Sequence, residues 1–211
     1  MRQSLKGYPL PRLSATSTTE ELVSKINSVR KLEDPKFVQA VEINYSYKGS
    51  IRRWEAVVVH DSVAVLLWHK EKNAFILVKQ LRATVLNKNP NNGMMYELCA
   101  GIVDKNKSLK EIAKEEVLEE CGYNIPLENL KKISSFYTSV GISGNYQTLY
   151  YAECDESMKV NEGGGLEDED IEVVYIPLES AKEFMFDESY QKTTGVLMSF
   201  YWFFDTIIQT R

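Results

Sequence analysis

An α/β/α sandwich preceded by an antiparallel β subdomain is the fold class this sequence predicts. Three observations lead there. Short runs of alternating apolar and polar residues stand both before and after one capped helix in mid-chain. That helix has its apolar residues on a single stripe. A second helix near the C-terminus, rich in aromatics on one side, can cover the sheet face that the first leaves open.

Residues 1–17 are polar, contain Pro9 and Pro11, and read as an extended lead. Over residues 18–32, Leu22, Ile26 and Val29 recur at helical spacing after a Ser/Thr-rich start, which predicts a short helix. Residues 1–37 are therefore a lead segment, and residues 38–211 form the main domain. It begins with a β-hairpin over residues 38–60: Val41, Ile43, Tyr45 and Tyr47 alternate with polar neighbours, and Lys48-Gly49-Ser50 turns the chain back. Residues 62–69 and 74–80 are two further strands around Glu71-Lys72-Asn73. Residues 87–95, with Pro90 and Gly93 among asparagines, read as a flexible loop, and residues 96–100 lead straight into Gly101.

The central helix has a start and a stop written in its sequence. Ser108 and Glu111 form a capping box, and Gly122 ends the run. With Glu116 at zero on a helical wheel, Leu109, Ile112, Ala113, Glu119 and Glu120 fall within about 60° of it. The stripe is apolar in its first half and carboxylate in its second. Beyond it come strands over residues 132–137 and 147–152, a Gly- and acid-rich loop over 161–170, and a strand over 171–176. Helices over residues 179–184 and 192–208 close the chain. The longer one sets Val196, Phe200, Phe203, Phe204 and Ile207 on one side, as core or a subunit contact.

Composition narrows the class. With 44% hydrophobic residues in 211, one substantial core is expected. A net charge of −5 and a pI near 5.3 argue against an electrostatic nucleic-acid binder. No apolar run reaches membrane-spanning length, so no membrane partner is expected. Cys99, Cys121 and Cys154 make neither an even disulfide framework nor a C-x-x-C pair, and Cys99 and Cys121 read as small core residues. The first seven residues lack the apolar stretch of a signal peptide, and a reducing, cytoplasmic setting is expected.

Acidic runs on helices usually face water. Three acids on the face that ought to be buried, however, repel one another unless a cation sits among them. A divalent hard cation, Mg²⁺ with Mn²⁺ as an alternative, is the simplest occupant.

Gly101, Glu116, Val117, Glu119, Glu120 and Gly122 are similar, in register and without gaps, to the signature of the Nudix hydrolases. That pattern runs Gly, five residues, Glu, seven residues, Arg-Glu, an aliphatic, any residue, Glu-Glu, any residue, Gly. Two positions depart from it: Lys107 stands at the first glutamate and Glu115 at the arginine. In the family that arginine pairs with and orients the metal-binding glutamates, a task Glu115 cannot perform and Lys114 points away from. A weakened, nucleotide-binding relative is the reading these departures would favour.

The resemblance implies an α/β/α sandwich with a mixed central sheet and hydrolysis of pyrophosphate bonds. It makes Glu116 and Glu120 direct metal ligands, with Glu119 sharing a second ion or acting through water, and the Ala100 carbonyl a further ligand beside Gly101. Glu162-Gly-Gly-Gly-Leu-Glu167-Asp-Glu169 resembles the loop that delivers a late glutamate to the metals in the sugar-nucleotide branches. Glu169 is then a ligand and Glu167 the general base, or the reverse, on a loop whose glycines let it swing. Val78-Lys-Gln-Leu-Arg82 resembles the Val-x-Gln-x-Arg stretch that these pyrophosphatases place near the phosphates, which implies that role for Arg82, and the Ser139-Val-Gly141-Ile-Ser-Gly144 stretch resembles a substrate-side loop. Trp54 on the hairpin either holds a base or sugar or packs at an interface. Glu97-Leu-Cys-Ala-Gly101 and Lys192-Thr-Thr-Gly195 bring the likeness closest to the branch that cleaves UDP-glucose to UMP and glucose 1-phosphate. That branch also accepts ADP-ribose and forms homodimers through its N-terminal region. A small nucleotide sugar is thus the expected partner.

Overall fold

The computed structural model describes residues 25–29, 33, 38–166 and 169–209. Two antiparallel strands, β1 (Gln39–Tyr47) and β2 (Ser50–Val58), form a separate hairpin. A mixed seven-stranded sheet is built from β3 (Ser62–His69), β4 (Ala74–Leu81), β5 (Met94–Glu97), β6 (Cys99–Ile102), β7 (Lys131–Tyr137), β8 (Tyr146–Cys154) and β9 (Ile171–Pro177). Its helices are α1 (Ala83–Lys88), α2 (Leu109–Cys121), α3 (Leu178–Phe186) and α4 (Thr194–Phe203), the last running into a π-helical turn, Phe204–Ile208.

The period of two along β3 divides the core. Val63, Val65 and Leu67 face α2 together with Ile112, Ala113, Val117 and Cys121. Ala64, Leu66 and Trp68 face the other way, against Phe75, Phe184, Phe200 and Phe203 from β4, α3 and α4. Phe75 and Phe200 stack with ring centroids 4.0 Å apart. Helices therefore cover both faces, as the sandwich reading expects, and the aromatic side of α4 is core.

The feature that creates a site is a fork in the sheet. β3 pairs with β8 in parallel along its whole length. On its other edge β3 meets β4 only at Leu67–His69, next to their connecting turn. Farther out the two strands part. β6 takes the edge of β3 from Ser62 to Val65, and β5 takes the edge of β4 from Val78 to Leu81. The run of residues 94–102 is thus not one strand but a V folded at Leu98 and wedged into the fork. It sets Glu97, Ala100 and Gly101 where β3 and β4 separate.

Other expectations need correction. Residues 25–29 have no regular structure, and the remainder of the helix expected over 18–32, like the lead over 1–17, lies outside the described residues apart from these. The loop expected over 87–95 is shorter, because Lys88 closes α1 and Met94 already pairs with Leu81. Helix α2 is capped as anticipated: Ser108 Oγ accepts the Glu111 N–H, Glu111 returns a bond to the Ser108 N–H at 2.8 Å, and Gly122 is left-handed at φ 79°. Its buried arc is rotated from the expected stripe, however. Val117 and Cys121 are fully buried, while Leu109 is exposed.

Candidate active site

Glu116, Glu119 and Glu120 of α2 converge with Glu169, Ala100 and Gly101 on one cavity of about 470 Å³, at the open end of the fork. Arg82, Gln80, Ser62, Asp104 and Lys105 share its wall. Gln80, Arg82 and Ala100 also line a larger cavity of about 650 Å³ that continues over Ser139, Phe136, Gln147 and the Thr193-Thr194-Gly195 start of α4. The polar floor and the larger chamber thus share three residues as a common wall.

Glu120 is buried, and its Oε2 accepts the Ala100 N–H at 3.0 Å. Loss of water raises its carboxyl to about 7, against the opposing pull of that N–H and of the Cys99 thiol. Glu116 is half-buried and is also raised, first by burial and then by the charge of Glu119. Gly101 explains how Glu116 fits at all: a Cβ at that position would lie 2.1 Å from the Glu116 carboxyl carbon. No other residue leaves room for that carboxylate. Carboxylates that resist ionisation because they crowd together out of water are a donor set suited to a hard divalent cation, and their oxygens are the ligand type such a cation takes.

The glycine run expected to let the loop swing is docked in this structure. Gly163, Gly164 and Gly165 all have positive φ, and Gly164 and Gly165 donate N–H bonds to the Glu120 and Glu119 carbonyls at 2.9 and 3.1 Å. They dock on the last turn of α2 and satisfy carbonyls that a helix end leaves open. A Cβ on Gly163 would lie 2.3 Å from the Glu120 carbonyl oxygen, so close approach is what demands glycine there. The docked segment brings Glu169 to the cavity, its Oε2 accepting the Leu166 N–H at 2.9 Å. Glu167 lies outside the described residues.

Arg82 stands at the end of β4 and is gripped by Glu97, whose Oε2 accepts from Nε at 2.9 Å and Nη2 at 2.6 Å. Gln80 donates to the same oxygen at 3.1 Å. Ser139 reaches the larger cavity from a loop whose backbone bends at φ 46°. Gly141 and Trp54 line neither cavity. The Trp54 indole N–H donates to the Gly141 carbonyl at 3.1 Å, and the Val57 N–H donates to Ile142 at 2.9 Å. The hairpin thereby holds the loop that carries Ser139.

The two departures from the motif turn out to be partners. Lys107 makes a close ion pair with Glu115, and Lys105 adds a second contact at 3.6 Å. The Lys107 ammonium holds the Glu115 carboxyl below its ordinary range. Lys105 escaped notice in the sequence because it occupies a position at which the motif accepts anything, and Asp104 carried no assigned role there. Gln147 escaped because no local pattern ties it to α2, and Thr193 was visible within Lys192-Thr-Thr-Gly195 but was given no place in the site.

A second trio, His69, Glu71 and Glu156, also brings three donor atoms within 4.8 Å of one another. Its cation is already present: Lys72 pairs with Glu156 and its ammonium lies 3.4 Å from His69 Nε2. The Lys72 backbone N–H donates to His69 Nδ1 at 3.2 Å, so a neutral ring carries its proton on Nε2, toward Glu156. That leaves no ring lone pair for a metal.

The NUDIX domain profile matches residues 58–194. The chain belongs to the Nudix family. Among curated relatives, the uridine diphosphate glucose pyrophosphatase NUDT14 of Bos taurus is 32% identical over 199 residues, spanning 81% of this chain and 90% of that protein. The Mus musculus counterpart is 30% identical over 200 residues. A GDP-mannose pyrophosphatase of Cronobacter sakazakii is 40% identical over a shorter stretch, 58% of this chain and 63% of that one. A solved structure of an ADP compounds hydrolase superposes with a TM-score of 0.63 at 16% identity, over 89% of this chain and 99% of the other, and shares the fold. As a Nudix hydrolase, the chain carries its motif glutamates on α2 at the mouth of the fork.

Proposed function

We propose that this Nudix hydrolase cleaves the pyrophosphate bond of a nucleoside diphosphate sugar in the presence of Mg²⁺, with UDP-glucose giving UMP and glucose 1-phosphate. The observation that carries the reading is that two neighbouring cavities share Gln80, Arg82 and Ala100 in their linings. One is a carboxylate floor for the pyrophosphate and its cations, the other a roomier chamber for an attached nucleoside or sugar. The likeness to the UDP-glucose pyrophosphatases over most of both chains supports that substrate.

Glu116, Glu120, Glu169 and the Ala100 carbonyl are the groups that would hold Mg²⁺, which when bound supplies an acidified water and neutralises charge on phosphoryl oxygens. Glu120 is kept in place by the Ala100 N–H, and Gly101 leaves Glu116 the space to lie beside it. Glu119, on the rim of the same helix, serves a further ion or a bound water. Glu167 or Glu169 removes the proton from the attacking water. Arg82, set by Glu97, offers its remaining N–H donors to the phosphates. Ser139 contacts the substrate portion in the larger chamber, and Trp54 acts on it through Gly141.

The hairpin bonds to the loop carrying Gly141 and Ile142, yet it leaves Ile43, Tyr45, Tyr47, Ile51 and Trp54 exposed. A two-stranded sheet is marginal by itself. Pairing with a second copy of the chain, as a homodimer, would bury those side chains, and light scattering coupled to size exclusion tests it. Three free, buried thiols accord with a reducing, cytoplasmic setting.

The deciding experiment is a panel of UDP-glucose, GDP-mannose, ADP-ribose and dinucleotides incubated with Mg²⁺, with products resolved by chromatography. UMP and glucose 1-phosphate should form with the highest kcat/KM. A higher value for ADP-ribose would move the assignment to that substrate, and no cleavage of any pyrophosphate would overturn it.

A further inference from the structure

The carboxylate cavity is short of positive charge. Asp104, Glu116, Glu119, Glu120 and Glu169 line it, and the cations on its wall are Arg82 and Lys105. A pyrophosphate entering such a cavity brings more negative charge, and dications held by the glutamates offset only part of the total. The two protein cations are held very differently. Arg82 spends Nε and Nη2 on Glu97 at 2.9 and 2.6 Å. Lys105 has one ion-pair contact, Glu115 at 3.6 Å, beyond hydrogen-bond length, with its side chain 39% exposed. The close partner of Glu115 is Lys107.

Resting on the pyrophosphatase reading, we propose that Lys105 is a catalytic residue that binds a phosphoryl oxygen of the substrate, and that Glu115 is a positioning residue that keeps its ammonium at the mouth of the cavity. Lys107 saturates Glu115 enough that Lys105 is tethered without being trapped. A lysine on four methylenes then turns from the rim onto phosphate without breaking a short bond. The charge of Lys105 already reaches inward, where it opposes the burial that raises Glu116. The acid standing where the family has arginine thus acquires a use. It recruits a cation from the loop between β6 and α2, instead of supplying one from the helix.

The probe is uridine 5′-(α,β-methylene)diphosphate, which has carbon in place of the bridging oxygen and cannot be cleaved there. Its binding is measured by calorimetry in Mg²⁺ for the full chain and for Lys105→Met, Lys105→Arg, Glu115→Gln and the Lys105→Met/Glu115→Gln double variant. Lys105→Met should weaken binding about ten- to a hundredfold, the loss of one charge-assisted hydrogen bond. Lys105→Arg should stay within about threefold, Glu115→Gln should be intermediate, and the double variant should match Lys105→Met alone. Mn²⁺ affinity without nucleotide, read by electron paramagnetic resonance, should not fall in any of them. Unimpaired binding by Lys105→Met, an equal loss in Lys105→Arg, or a further additive loss in the double variant each overturns the proposal, as does a wild-type chain that does not bind the probe. Wild-type protein that binds the probe with the expected variant series but cleaves no nucleotide sugar would overturn the pyrophosphatase reading while leaving Lys105 as a phosphate ligand. Cleavage by the wild type with an unimpaired Lys105→Met would remove Lys105 alone.

Discussion

Glu115 and Glu116 are adjacent in the chain and opposite in circumstance. Glu115 lies on the rim between Lys105 and Lys107, and its carboxyl is lowered. Glu116 turns inward beside Glu119 and Glu120, where burial raises it, and Glu120 deeper still is raised to about 7. A single step along the helix thus separates an acid that the protein's own lysines satisfy from acids that protein groups leave short of positive charge. The lesson is that an acidic helix is informative not by its number of carboxylates but by which of them lack a protein cation.

The strongest way to break this contrast is to remove an inner acid. Glu116→Gln should lower kcat by about a thousandfold or more with the fold intact by circular dichroism, because the lost group would hold the cation that stabilises the transition state. Undiminished turnover would show that Glu116 is no ligand. Next in size is Gly101→Ala. Its added methyl must displace the Glu116 carboxylate, and a shift of about 1 Å at a reacting centre costs on the order of a hundredfold in kcat/KM. A crystal structure of the variant should show Glu116 moved.

A pH experiment sharpens the contrast without mutation. Glu120 has a folded value of about 7 against an ordinary value near 4.5, so between those limits the folded chain binds more protons than the unfolded one. The metal-free protein should therefore lose stability as pH rises through that window, by at most about 3 kcal/mol. Mg²⁺ should reverse the loss, raising Tm more at pH 8 than at pH 5. A metal-free Tm that climbs across the window would contradict the buried-acid account.

The smallest effect belongs to the rim. Glu115→Arg restores the family residue yet adds a third cation beside Lys105 and Lys107, and should lower activity only severalfold, since exposed pairs are weak. The Lys107→Glu/Glu115→Arg exchange should recover most of it if the two departures work as one inverted pair. An increase in activity from Glu115→Arg alone would show that the inverted pair is a defect.

Much of α2 was legible because its signals are local. Ser108 and Glu111 are three residues apart and Gly122 follows the last turn, so short-range geometry ties them together, whereas Gly101 was linked to Glu116 by the resemblance to the family pattern. The paired strands of β1–β2 and β3–β4 were equally plain from alternation and turn residues. Yet one hairpin is exposed on both faces and the other is buried on both, a difference no alternation encodes. Cys121 was rightly read as core, but the rotation of the α2 buried arc onto Val117 was invisible, because it depends on where β3 and β6 lie beneath the helix. The glycines at 163–165 were visible but read as looseness, since only the packed structure reveals a helix end against them.

What the sequence by itself determined is the helix, its caps and the register of its glutamates, for these follow from backbone periodicity and side-chain reach within a few residues. The fork between β3 and β4, the V of β5 and β6 wedged into it, and the arrival of Lys105, Arg82 and Glu169 around one cavity were decided only by tertiary structure. Those groups come from segments far apart in the chain, and what brings them together is burial of the two sheet faces, a property of the whole fold rather than of any stretch within it.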